Sequence, residues 1–379
     1  MKNPKPRAIV AGYICLDITP LFNLDNPIND TSQFLIPGKL IETGQAEIQC
    51  GGSAANTGLA MARLGTNVSL MGKIGRDAFG NILMDILEKQ DCPHNMIISN
   101  DATSYSIVLA PPGLDRMFLH FPGANSLFSA VDLDYKAIEK AELFHFGYPN
   151  LMKSMYQDNG HQTISMFSKI KPLGVITSLD MALADTASPA GKVNWRKILP
   201  ELLPYVDIFA PSLDEIAAMV EPEKYKQWKK LAGGQELIQT LSIEKDIEPM
   251  AQELLNWGVK ILLIKCGSPG IYYRTNNAKA LSAMQGKIRL ETNGWANQQG
   301  FESGFKAKTV LSTAGAGDVS IAGFLTAFLK QKSLKHCTET AAAAGAACVE
   351  SFDRGSSLTS YEKLRKRIEA GWEKQDSRS

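Results

Sequence analysis

The stretch that decides the fold is Leu311-Ser312-Thr313-Ala314-Gly315-Ala316-Gly317-Asp318, followed by Val319-Ser320-Ile321-Ala322-Gly323-Phe324-Leu325. A β-branched run, Lys308-Thr309-Val310, leads in and reads as the end of a strand. An apolar run with helical period, Ile321 to Leu329, leads out. The residues between are small and leave the backbone uncovered. Such a segment presents bare N–H groups at a helix N-terminus, where partial positive charge attracts an anion. Asp318 stands at the mouth of that helix. An anion nest beside one carboxylate suits phosphoryl transfer: the nest takes developing negative charge, and the carboxylate takes a hydroxyl proton. The same residues also fit a plain turn in which Asp318 caps the helix, and this stretch alone does not separate the two.

A second glycine-rich helix entry lies far upstream, Cys50-Gly51-Gly52-Ser53-Ala54-Ala55-Asn56-Thr57-Gly58. Ser53 is the expected N-cap, and Gly65 the expected residue just past the helix end. Ala54, Gly58 and Ala62 fall four apart, so one helix face is smooth enough to lie against a sheet. Asn56 sits in the first turn, where its amide faces either a ligand or solvent. Further upstream, Ala8 to Cys15 reads as one buried strand ending in Asp17, which either binds a ligand or caps a turn. Ligands in open α/β sheets bind at that end of the strands.

Strands and helices alternate from Glu142 onward, as in an α/β protein. The strands are Leu143 to Phe146, Val175 to Asp180, Val206 to Ala210 and Lys260 to Lys265. Earlier, Tyr105 to Ala110 and Met117 to Phe121 read as a hairpin that stands over a site as a flap. Helices are expected at Asn81–Lys89, His161–Ile170, from Ser212 through Met219, at Ile321–Gln331, Thr338–Glu350 and Tyr361–Trp372, with Phe352-Asp353-Arg354-Gly355 a turn. Two polar stretches, Glu221 to Ile247 and Thr275 to Lys306, read as insertions, and Glu373 to Ser379 as a frayed tail.

The chain has 40 basic and 39 acidic residues, so no charge excess points to nucleic acid. No apolar run approaches the roughly 18 residues that a membrane span needs. The N-terminus has no signal-peptide core. Six widely spaced cysteines form no zinc pattern and suggest reduced thiols in the cytoplasm.

The two glycine-rich stretches together resemble the signature motifs of the PfkB (ribokinase-like) carbohydrate kinase family. Gly51-Gly52-Ser53-Ala54-Ala55-Asn56, with Gly65 and Gly75, fits the N-terminal signature, although the family usually has Ala, Ser or Thr at Gly58. Ser312 to Asp318 with Ala322-Gly323-Phe324-Leu325 looks like the C-terminal signature, which more often begins with Asp than with Ser312. Asp17, Gly75-Arg76-Asp77-Ala78-Phe79-Gly80, the hairpin and Gly123-Ala124-Asn125 also sit where the family has them, so the resemblance runs from Arg7 to Gly355. It implies one domain over 1–379: a three-layer α/β sandwich around a mostly parallel sheet, with a β lid from segments about 18–50 and 103–125.

The resemblance also implies ATP with Mg2+, a monovalent cation as a further cofactor, and a sugar or polyol as acceptor. Asp318 matches the family's catalytic base, and Gly315, Ala316 and Gly317 its anion hole. Asp17, Gly51, Gly52 and Asn56 match the acceptor-binding set, and Gly267 and Gly270 the glycine turn that flanks the nucleotide. Glu215 matches the acid that helps organise Mg2+, but Ser212 stands where the family commonly has Asn. Lys265 replaces a small or polar residue and either reaches a phosphate or snorkels to solvent. Three functional readings stay open: a sugar kinase; a nucleoside kinase, with Tyr105, Phe118 and Phe121 stacking on a base; and a binding protein that lost transfer. The lid is also a candidate homodimer surface, because a two-sided hairpin has open edges.

Overall fold

The computed structural model describes residues 7–22, 30–33, 35–114, 117–284, 286–288, 290–353 and 357–375. The first six residues, part of the 18–50 segment, Asp115 and Arg116 of the hairpin loop, Arg354 and Gly355 of the expected turn, and 376–379 of the expected tail lie outside them.

Thirteen strands are described: β1 (Ala8–Gly12), β2 (Cys15–Thr19), β3 (Glu47–Gly51), β4 (Val68–Gly75), β5 (His94–Ser99), β6 (Tyr105–Leu109), β7 (Met117–Phe121), β8 (Leu143–Gly147), β9 (Ile176–Asp180), β10 (Ile208–Phe209), β11 (Ile261–Lys265), β12 (Gly270–Thr275) and β13 (Gln299–Ser303). Nine of them form one sheet in the order β13-β12-β11-β10-β9-β8-β1-β4-β5. Neighbours from β11 to β5 run parallel, while β12 and β13 close one edge antiparallel.

The central strands are apolar throughout because both of their faces are covered. Along β1, Ala8 and Val10 point into one core while Ile9 and Ala11 point into the other. The first core is closed by the Ser53–Arg63, Ala78–Lys89, Ala316–Leu329 and Leu334–Cys348 helices. The second is closed by Lys153–Ile170, Trp195–Leu202, Leu213–Val220 and Glu248–Asn256. The result is a three-layer sandwich. β1 pairs with β4 on one side and β8 on the other, both in parallel. A crevice therefore opens at the C-terminal ends of these strands. A second sheet, β3-β2-β6-β7, stands apart from the first.

The structure departs from the sequence reading at several points. Ala8 to Cys15 is not one strand. β1 ends at Gly12, whose φ of 129° turns the chain, and β2 then pairs with β3 and β6 in the small sheet. Asp17 therefore belongs to the small sheet and not to the end of a central strand. Lys308-Thr309-Val310 forms no strand, and no strand among the described residues pairs with it. β propensity without a partner does not make a strand. Val310 is instead exposed, and the backbone N–H groups of Leu311 and Ser312 donate to the carbonyl of Val349.

The cap of the Ser53–Arg63 helix is Gly52, not Ser53. Gly52 has φ 84°, and a Cβ there would collide with the carbonyl of Tyr13, so glycine makes this turn. The polar stretch 275–306 supplies β13, and the stretch 221–247 buries Tyr225, Leu237, Ile238 and Ile247 in the second core. The tail is pinned as far as Gln375: its N–H donates to the carbonyl of Gly304, and Lys374 pairs with Glu302 at 2.6 Å.

Candidate active site

The two glycine-rich entries meet. Gly315, at φ 74°, caps the Ala316–Leu329 helix, and Asp318 lies in its first turn, only 2 % exposed. The first N–H groups of any helix lack partners within it; of the expected nest Gly315-Ala316-Gly317, Ala316 N–H donates to the Thr313 carbonyl outside the helix at 3.4 Å. Asn56, in the first turn of the Ser53–Arg63 helix, donates its amide to Asp318 Oδ2 at 2.8 Å. The two residues are 262 positions apart in sequence. Gly58 allows this approach by leaving room for Leu70 and Val10 of the sheet beneath the helix.

Asp17 is buried on β2, with the Cys15 thiol donating to its Oδ1 at 3.4 Å. Gly51 on β3 pairs with Cys15, diagonal to Asp17, and is close enough that a Cβ would enter the Asp17 carboxylate. Asp17, Gly51 and Gly52 thus cluster where the small sheet meets the helix that carries Asn56. They do not line the large cavity below.

That cavity measures ≈ 690 Å³. It brings together the nest, Asp318, Glu215, Lys265, Gly267 and Gly270. Gly267 and Gly270 flank the turn between β11 and β12. Glu215 and Ser212 form a reciprocal cap on the Leu213–Val220 helix: Ser212 N–H donates to Glu215 Oε2 at 2.6 Å, and Glu215 N–H donates to Ser212 Oγ at 3.2 Å. Burial pushes the Glu215 carboxyl up from its ordinary range, and Lys265 opposes that shift. Lys265 does not snorkel. Its Nζ pairs with Asp180 Oδ1 at 2.6 Å and stands beside the backbone of Gly317. Burial works against that charge, but Asp180 and then Glu215 outweigh it and hold the ammonium protonated above its ordinary range.

Two residues of this site were missed in the sequence. Asp180 reads there only as a strand ending in a carboxylate, yet it is fully buried and its Oδ2 has no hydrogen-bond partner among the described residues. Tyr148, just past β8, donates its hydroxyl toward Asp318 at 2.9 Å from each carboxylate oxygen. A polar aromatic beside a strand-ending glycine at the C-terminal edge of the sheet is the signal that could have found it.

Among the described residues no group of three or more His, Cys, Asp or Glu side chains could hold a metal by itself. Mg2+ takes only one or two protein carboxylates and otherwise uses water and phosphate oxygens. Glu215 and the unsatisfied Asp180 Oδ2, beside an anion nest, fit that mode. No helix is long and apolar enough to cross a membrane.

The family model "pfkB family carbohydrate kinase" matches residues 21–360. A relative from Arabidopsis thaliana, "Probable fructokinase-7", is 28 % identical over 289 residues, covering 75 % of this chain and 71 % of the relative. Among solved structures, Arabidopsis thaliana ribokinase complexed with ribose and ATP has a TM-score of 0.67 at 21 % identity, covering 96 % of this chain and 98 % of that one. Fructokinase with bound ATP from Xylella fastidiosa has a TM-score of 0.68 at 19 % identity, covering 96 % and 99 %. The sandwich is the ribokinase fold, and the chain belongs to the pfkB family of carbohydrate kinases, enzymes of ATP-dependent sugar phosphorylation.

Proposed function

We propose that this kinase phosphorylates a hydroxyl of a small sugar or polyol, with Asp318 as general base and the Gly315-Ala316-Gly317 nest as anion hole. The observation that carries this reading is the Asn56–Asp318 hydrogen bond, which joins the acceptor motif to the nest motif in one place. Asp318 accepts the proton as the acceptor O–H bond breaks and its oxygen bonds to the γ-phosphorus of ATP, whose bond to the bridging β-phosphate oxygen breaks so that ADP leaves. The nest N–H groups take the charge that builds on the transferring group; in well-measured sites such donors contribute roughly 3–4 kcal/mol each. Asp17 and Asn56 bind acceptor hydroxyls, and Gly51 and Gly52 let the acceptor approach the backbone. Lys265 contacts the phosphates, and Gly267 and Gly270 flank the nucleotide. Mg2+ would be held through Glu215, phosphates and water, and would neutralise phosphate charge when bound.

A sugar is favoured over a nucleoside by the lid aromatics. Tyr105 is engaged by Phe79 and Phe121, with ring centroids at 5.3 and 5.7 Å, which supports lid packing over base stacking. The fructokinase relative points the same way. Exposed Ile48, Phe118 and Leu119 on the small sheet support a lid that also pairs two copies of the chain. Six buried thiols support work in a reducing cytoplasm.

The test is ADP release by the purified protein with Mg-ATP across a panel of hexoses, pentoses, polyols and nucleosides. Turnover on a sugar is expected. Tight binding of one panel member without ADP release would favour a binding protein, and a preference for nucleosides would overturn the sugar assignment.

A further inference from the structure

Tyr148 is placed with unusual care. Its backbone is left-handed, at φ 65° and ψ 39°, a conformation that a bulky side chain rarely adopts. Its N–H donates to the carbonyl of Asp180 at 3.1 Å, and its carbonyl accepts from the N–H of Leu151 at 3.0 Å. Non-glycine residues held this way cluster at functional sites, where the surrounding structure fixes them. The turn delivers the phenol to a single target, the Asp318 carboxylate.

A phenol has one proton to give, and Asn56 already donates to Oδ2. Charged groups reach Asp318 from several packed elements: Lys265 at the end of β11, Asp180 at the end of β9, and Glu215 at the start of the Leu213–Val220 helix. Lys265 favours the ionised carboxylate, and the two acids oppose it. Asn56 and Tyr148 are neutral donors to the carboxylate itself. Tyr148 stays a donor throughout, because burial and then the charges of Asp318, Asp180 and Glu215 push its ionisation well above the ordinary range.

We propose that Tyr148 is a positioning residue: with Asn56 it keeps Asp318 ionised and turned to receive the acceptor proton. This rests on the reading of Asp318 as the base. The test measures kcat and acceptor KM from pH 5 to 9 for the parent, Tyr148→Phe and Asp318→Asn, with unfolding midpoints as a control. Tyr148→Phe keeps ring and backbone and removes only the hydroxyl. A hydrogen bond to a charged group is worth enough to move a carboxyl by about one pH unit, so the acid limb of kcat rises by about that much. Turnover below the limb falls about tenfold, while the KM for ATP and the unfolding midpoint hold. Tyr148→Asn tolerates the left-handed backbone but cannot reach Asp318, and should be at least as slow as Tyr148→Phe. An unmoved acid limb with unchanged kcat would overturn the proposal. So would a raised acceptor KM with an unmoved limb, which would make Tyr148 an acceptor contact. If Asp318→Asn keeps both turnover and the limb, the base assignment itself fails. If Asp318→Asn loses them and Tyr148→Phe leaves the limb in place, only the role of Tyr148 fails.

Discussion

Replacing Lys265 by Met removes a charge that the structure buries against Asp180. The Asp180 side chain is fully buried and that of Lys265 is 13 % exposed, so solvent screens the pair little. Lys265 donates to Asp180 Oδ1, and Oδ2 has no hydrogen-bond partner among the described residues to compensate. Removing one partner of such a pair costs about 3–5 kcal/mol, because the remaining charge stays in a site built for two. Burial already holds the Asp180 carboxyl well above its ordinary range, with Lys265 opposing that shift. Without Lys265 the folded pKa rises further above its unfolded value of about 3.9, and stranded Asp180 keeps a proton to higher pH. The folded state thus holds a proton that the unfolded state releases, and stability falls as pH rises above that value. Lys265→Met should therefore lose the full 3–5 kcal/mol near pH 8 and only part of it near pH 5. Chemical denaturation of parent and variant at both values measures the difference. The double variant Asp180→Asn, Lys265→Met should recover most of the loss at pH 8 and flatten the pH dependence. A single variant as stable as the parent at both values would refute the argument, because the pair would then carry no charge worth compensating.

Three further outcomes are expected. Asp318→Ala should lower turnover by about 10²- to 10⁴-fold, the usual worth of a placed general base, with nucleotide affinity by calorimetry little changed. Gly51→Ala should raise the acceptor KM more than the ATP KM, since the added methyl displaces the Asp17 carboxylate while the large cavity is untouched. Gly323→Val should lower stability by about 1–3 kcal/mol through overpacking, read as a shifted denaturation midpoint, because a Cβ there already meets Ala344 Cβ and the Thr340 carbonyl at 2.8 Å.

The parts of this site that were legible in the sequence are those whose chemistry is local. The nest, Asp318 and Asn56 sit within short glycine-framed helix entries, where backbone need and side-chain type coincide. Tyr148 has no such frame. Its role depends on a left-handed turn and on the parallel register that sets Gly147 beside Asp180, and neither is a property of the residues nearby. Lys265 was visible as an oddity, but its partner lies 85 positions away. The strand boundaries failed for a related reason. Ala8 to Cys15 is evenly apolar because two different sheets bury its two halves, and hydrophobicity does not record a change of partner. Gln299–Ser303 was hidden in the opposite way: its outer edge carries little apolar weight, and only the antiparallel pairing with β12 makes it a strand.

The joint between the two sheets has a mechanical consequence. Only Tyr13 and Ile14 separate β1 from β2. The Tyr13 carbonyl accepts the N–H of Ala54, and the Ile14 N–H and carbonyl are both held by the Asn125 side chain. The small sheet therefore has no slack of its own. Any shift of the small sheet would therefore be passed through main-chain hydrogen bonds to the first turn of the Ser53–Arg63 helix, whose Asn56 donates to Asp318.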